Sequence, residues 1–239
     1  RAAVIDAQTN AVLCGNVSAT TGAFVKRGAG RLTFVAPKGG NSLSADHMDG
    51  GVNKDPDADI ALPPSGDGPD KTGLGGFNVL EGTVRLDGVG AGETVYSQTH
   101  FLQIGARYEA AANAELEVAN CTLQQGGSGI HLLVGGTTPP TTAATAPTLR
   151  VVENGIVKCD TLRIGNKGHS NGGRLPVFPT LAVTNGTVEA SFSVKVGDTG
   201  DSLVQPHVYL GANAQLVAKG TSASAGIEMG NNSYLEVAD

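Results

Sequence analysis

A repeated phrase constrains the fold of this chain more than any other feature. Strands that end in an aliphatic residue and glycine recur as FLQIG, HLLVG, LRIG, VKVG and IEMG, closing on Gly105, Gly135, Gly165, Gly197 and Gly230. The steps between them are 30, 30, 32 and 33 residues. A companion phrase falls in the intervals as AELEVANCTL, PTLRVVENGIV, PTLAVTNGTV and NAQLVAKGT, with a last partial copy, YLEVAD. Self-similarity at such a period marks a solenoid, because each unit carries an apolar face that it can bury only against its neighbours.

Within each phrase the hydrophobic period is two, so the units are built of strands. In TLAVTNGTVEASFSVKVG, residues Leu181, Val183, Val188, Val194 and Val196 are expected to point inward, and Lys195 outward. Asn185-Gly186 supplies the permissive backbone of a corner. No useful length of sequence carries apolar residues at helical spacing with caps. The interval from companion phrase to glycine strand is nearly constant, whereas the return interval varies, as with GGTTPPTTAATAP, NKGHSNGGRLPVFP and DTGDSLVQPH. A coil of about twenty residues with insertions at one corner accounts for both intervals. The expectation is an all-β fold, a parallel β-helix over residues 1–239 as a single domain, and the usual crossover preference makes it right-handed. The chain opens on Arg1 and stops at Asp239 in mid-phrase, which predicts a piece of a longer solenoid.

Composition agrees with this class. Of 239 residues 35 are glycine, none is tryptophan, and only 16% are charged, which suits short strands and tight turns better than helices. The formal net charge of −6 argues against nucleic acid as a partner, since phosphate binding needs a basic surface. No run is long enough to span a membrane as a helix. Cys14, Cys121 and Cys159 show no metal-ligand or redox spacing and are expected to be unpaired thiols.

Two stretches of the N-terminal third, GAFVKRGAGRLTF (residues 22–34) and GFNVLEGTVRLD (residues 76–87), carry a more specific pattern. Phe24, Lys26, Gly28, Gly30, Leu32, Thr33 and Phe34 form the first half of it, and Val79, Gly82, Thr83, Val84 and Leu86 the second. Together they resemble the passenger-associated transport repeat of bacterial autotransporters. In that family a short link joins the halves; here a long acidic segment, about residues 37–75, separates them. The resemblance implies a β-helical passenger that is secreted or held at the bacterial outer-membrane surface, and it assigns no activity.

Few residues are placed for chemistry. DPDADI in the acidic segment sets Asp55, Asp57 and Asp59 at alternating positions, a weak calcium candidate that lacks the glycine and glutamate of an EF-hand loop. GGSGIHLLV is similar to the calcium nonapeptide of β-rolls, but His131 stands where the ligand aspartate belongs. GVGAGE, Gly88 to Glu93, has no helix after it to bind phosphate and reads as a turn. The five histidines, His47, His100, His131, His169 and His207, show no metal-ligand spacing.

The outward position of the glycine strand runs Gln103, Leu133, Arg163, Lys195, Glu228. In polysaccharide lyases of this architecture a basic residue takes a proton while arginine or calcium neutralises the uronate, which makes Lys195 and Arg163 the enzymatic candidates. A solvated ladder of mixed charge explains the same residues without catalysis. Two function classes follow. One is a structural or adhesive segment without a cofactor, displaying loops to glycans or host-surface proteins. The other is a β-helical enzyme acting on acidic polysaccharide.

Overall fold

A computed structural model of the chain describes residues 3–15, 24–39, 41–42, 77–98, 102–105, 113–126, 131–135, 144–165, 176–197, 203–222 and 225–238. Among these there is no helix; all the regular structure is strand. The strands form a parallel β-solenoid with three faces. The first face stacks Ala3–Asp6, Phe24–Arg27, Phe77–Val79, Leu102–Ile104, His131–Val134, the end of Ile156–Ile164, the end of Thr187–Val196, and Gly226–Met229. The second is an eight-stranded sheet from Ala11–Cys14 to Tyr234–Val237. The third carries Asn41–Ser42, Val95–Gln98, Thr122–Gln125, the beginnings of Ile156–Ile164 and Thr187–Val196, and Gln215–Ala218. Those two long strands run continuously from the third face onto the first, and a register irregularity between Cys159 and Thr161 turns them at the bend.

Alternation along each strand builds the core. Leu102, Leu132, Leu162 and Val194 occupy one register column and are fully buried, as are Ile104, Val134, Ile164 and Val196 in the next. The second face adds Val84, Leu116, Leu149, Leu181 and Val208 on successive strands. All five residues expected to point inward from TLAVTNGTVEASFSVKVG are buried. At the N-terminal end the aliphatic column gives way to aromatics: Phe24 stacks on Phe77 with centroids 4.6 Å apart and meets Phe34 edge-on at 5.7 Å. On the last strands the inward positions Ile227, Met229, Leu235 and Val237 are exposed.

The corners explain the phrases. Between the second and third faces Asn120, Asn154, Asn185 and Asn213 all have φ between 51° and 60°, a conformation that asparagine tolerates best among residues with a side chain. Their backbones link rung to rung: Asn154 N–H donates to Asn185 O at 2.6 Å, and Asn185 N–H to Ala212 O at 2.7 Å. The variable connections all leave the glycine strand, and their ends return as a short ladder, Thr145 beside Val177 beside Val204. Pro147, Pro179 and Pro206 follow that ladder and pack against the closing glycines. Gly165 shows why glycine is needed there: φ is +71°, and a Cβ would stand 2.7 Å from Val204 Cγ1. The acidic segment enters elsewhere, between Asn41–Ser42 on the third face and Phe77–Val79 on the first.

The two halves of the Lys-x-Gly-x-Gly pattern meet at one corner. Lys26 is fully buried, and its ammonium donates to the carbonyls of Gly28, Gly30 (2.7 Å) and Glu81 (2.8 Å). Three donors meet three acceptors, so the charge is solvated by backbone alone. Burial pushes this ammonium below its usual range, while Glu81 and Asp6 pull the other way. Gly82, at φ +65°, closes the box from the next rung: a Cβ there would come within 2.6 Å of Gly30 O and of Lys26 Nζ.

Candidate functional site

Among the described strand residues the inward positions are committed to the core, and the side chains left for chemistry stand in outward columns, which parallel register stacks about 4.8 Å apart. On the second face the column runs Thr33, Arg85, Glu117, Arg150, Ala182, Tyr209, Glu236. Arg85 sits at its charged centre. It binds Glu117, Asp87 at 2.9 Å and Glu153 at 2.7 Å, and Arg31 reaches the same Glu117 at 2.6 Å. Asn120 Nδ2 donates to Glu153 at 3.0 Å. The Arg85 hydrogen bond holds the Glu153 carboxyl below its usual range, and the three carboxylates outweigh burial to raise Arg85. Two guanidiniums thus hold three carboxylates, and the network ties rungs together.

The third face carries an open groove of about 440 Å3 beside the bend. Gln124, Lys158 and Glu189 line it from successive rungs, with Asp160, Ser191 and Lys219 around them. Lys219 binds Glu189 at 2.7 Å and pulls its carboxyl downward, and Ser191 Oγ donates to Asp160 at 2.9 Å. These carboxylates too are taken up by neighbours.

The first-face column is the one the sequence singled out, and the register is as expected: Gln103 beside Leu133, Arg163, Lys195 and Glu228 on consecutive strands. Lys195 Nζ pairs with Glu228 at 3.2 Å. Arg163 forms no hydrogen bond or ion pair with any described residue, and its Nε is sealed from solvent without an acceptor. Gln103 Nε2 and Ser193 Oγ are likewise buried without partners. His131, two residues before Leu133, is held below its usual value by burial first and then by the fields of Arg163 and Lys195.

Of the other sequence candidates, those among the described residues are not brought together. Asp55, Asp57 and Asp59, with His47, His100 and His169, lie outside the described residues. Among the described residues no three His, Cys, Asp or Glu side chains group as metal ligands. His207 meets Tyr234 with the rings tilted by 58° and approaches Glu236 at 3.5 Å, far along the chain from His131. Gly88 to Glu93 forms a turn closed by Glu93 N–H on Gly90 O at 2.9 Å. Cys14, Cys121 and Cys159 are unpaired thiols, the first exposed and the others buried.

Sequence reasoning missed the Arg85 network and the Lys26 box. A signal for the first was present: aligning GTVRLD, AELEVA and TLRVV as parallel strands places Arg85, Glu117 and Arg150 in one column of alternating sign. No family model, curated protein or solved structure matches the chain.

Proposed function

We propose that the chain is a non-catalytic segment of an exported bacterial surface protein of the autotransporter-passenger type, a stiff shaft that displays its inserted loops for binding. The observation that carries this reading is how outward charge is used. Among the described residues Arg31, Arg85 and Arg150 on the second face and Lys219 on the third each pair with carboxylates on other rungs, which stiffens a stack. The exported setting rests on the resemblance carried by Lys26, Gly28, Gly30 and Gly82, whose side chains and backbone close one corner. Glycans or host-surface proteins are the partners such a shaft would present its loops to.

The lyase reading has one observation in its favour, the direct register of Arg163 on Lys195. Lys195, however, is engaged with Glu228 at 3.2 Å, as in a cross-rung ion pair. Incubation with polygalacturonate and other uronate polymers is expected to give no unsaturated product by near-ultraviolet absorbance. Product formation that Lys195→Ala abolishes would overturn the non-catalytic reading.

A further inference from the structure

We propose that the C-terminal half of the second face is a self-complementary surface through which two copies of this chain pair laterally, with their solenoid axes antiparallel. This goes beyond the binding role proposed above and does not depend on it. The outward column there runs Arg150, Ala182, Tyr209, Glu236 on four consecutive strands. A two-fold axis along the strands, midway between Ala182 and Tyr209, lays this column on its own reverse. Arg150 then faces Glu236 of the second copy and Tyr209 faces its Ala182, and each contact occurs twice, as an isologous interface requires. The neighbouring column, Thr148, Thr180, His207, Tyr234, reverses in the same way and sets His207 over Thr180 and Tyr234 over Thr148. Large side chains meet small ones, and a cation meets an anion. Turning the second copy about the solenoid axis instead sets Arg150 over Thr148 and Tyr209 over His207, with neither match.

Within one copy these groups are left available. Arg150 and Glu236 stand three register steps apart, about 14 Å, too far to pair with each other in the same chain. The contacts they do make are long: Arg150 to Glu115 at 3.4 Å and Glu236 to His207 at 3.5 Å, against 2.7 Å between Arg85 and Glu153. Their side chains are 42% and 44% exposed. The ring of Tyr209 lies along its strand over Gly211, where a Cβ would come 3.1 Å from Cε1, so it offers a flat side to a facing sheet. Exposed rings flank the column, Tyr234 at 58% and Phe178 at 39%. Tyrosine and arginine are the side chains that carry most energy at protein interfaces, while rim charge pairs fix orientation. Four rungs by about five residues of strand cover roughly 300–400 Å2 per copy, less than the roughly 800 Å2 of a standard stable interface, so the pair is weak and needs a high local concentration.

Sedimentation equilibrium of the whole chain tests this, under reductant so that the exposed Cys14 cannot cross-link. A monomer–dimer equilibrium with a Kd on the order of 100 µM is expected, followed from about 5 to 500 µM. Arg150→Glu should weaken it by about tenfold or more, because each pair becomes a like-charge contact. Ala182→Lys, which drives a long cation against Tyr209 of the second copy, should do the same. The exchange Arg150→Glu with Glu236→Arg should restore pairing, since both contacts re-form with their signs reversed. Lys158→Gln, on the third face, should leave the equilibrium unchanged, and circular dichroism of each variant checks folding. A chain that stays monomeric throughout the range, or a dimer as strong in Arg150→Glu and Ala182→Lys as in the wild type, overturns the proposal. So does association that runs on past the dimer, or a charge exchange that fails to restore it. Each of these outcomes leaves the non-catalytic reading standing.

Discussion

Lys26 gives the sharpest test of how the corners are held. In Lys26→Met the side chain keeps its apolar length and loses all three donors. The carbonyls of Gly28 and Glu81 then lose the ammonium, while Gly30 O still accepts from Thr83 N–H at 3.3 Å. A buried acceptor left without a partner costs about 1–3 kcal/mol, so two such groups cost about 2–6 kcal/mol. Release of the buried charge offsets part of this, as the downward push on the Lys26 ammonium shows. The net loss should be about 2–4 kcal/mol, or roughly 5–15 °C in Tm for a chain of this size. Urea and thermal unfolding followed by circular dichroism would read it. Hydrogen exchange should show the loss concentrated at the corner, at Ala7, Gly30 and Thr83, whose N–H groups hold the adjoining rungs. A variant as stable as the wild type would refute the reasoning, because the bonds would then do no more than repay desolvation.

Two further outcomes follow from the same structure. Glu153, with its folded value held below 4.5 by Arg85, stabilises the fold fully above pH 4.5; that contribution is lost as pH falls through the lowered value. Glu153→Gln should therefore remove part of the acid-limb slope in a pH series of urea midpoints, and an unchanged slope contradicts the pairing. Burial pushes the thiols of Cys121 and Cys159 up to about 12, so one thiol, Cys14, should react with a maleimide in the native state and three after denaturation. Fast labelling of a second site under native conditions contradicts the packing of the core.

How far the sequence carried depends on the period of each feature. Inward ladders such as Leu132, Leu162 and Val194 were legible because a period of two repeated at fixed steps leaves one way to bury them. Asn185-Gly186 was legible as a corner because few residues accept positive φ. The register of Arg163 on Lys195 was legible from the phrase itself. The Lys26 box was not, since its fourth wall, Gly82, follows a long insertion and nothing local links the two. Nor were the partners of Arg85: Glu153 lies two rungs away at a corner, reached by a side chain running across the register. The prolines read as ordinary loop residues, although Pro147 and Pro179 pack on glycines from earlier phrases.

The central claim is that distant phrases stack as consecutive rungs of one solenoid, and a distance measurement tests it most directly. Thr33 and Tyr209 share one outward column of the second face, five register steps apart. At about 4.8 Å a step their backbones stand about 24 Å apart. Nitroxide labels at Thr33→Cys and Tyr209→Cys, with Cys14→Ser to silence the exposed thiol, should give a narrow dipolar distance distribution centred near that value. A broad distribution, or a mean beyond twice that separation, would contradict the stack.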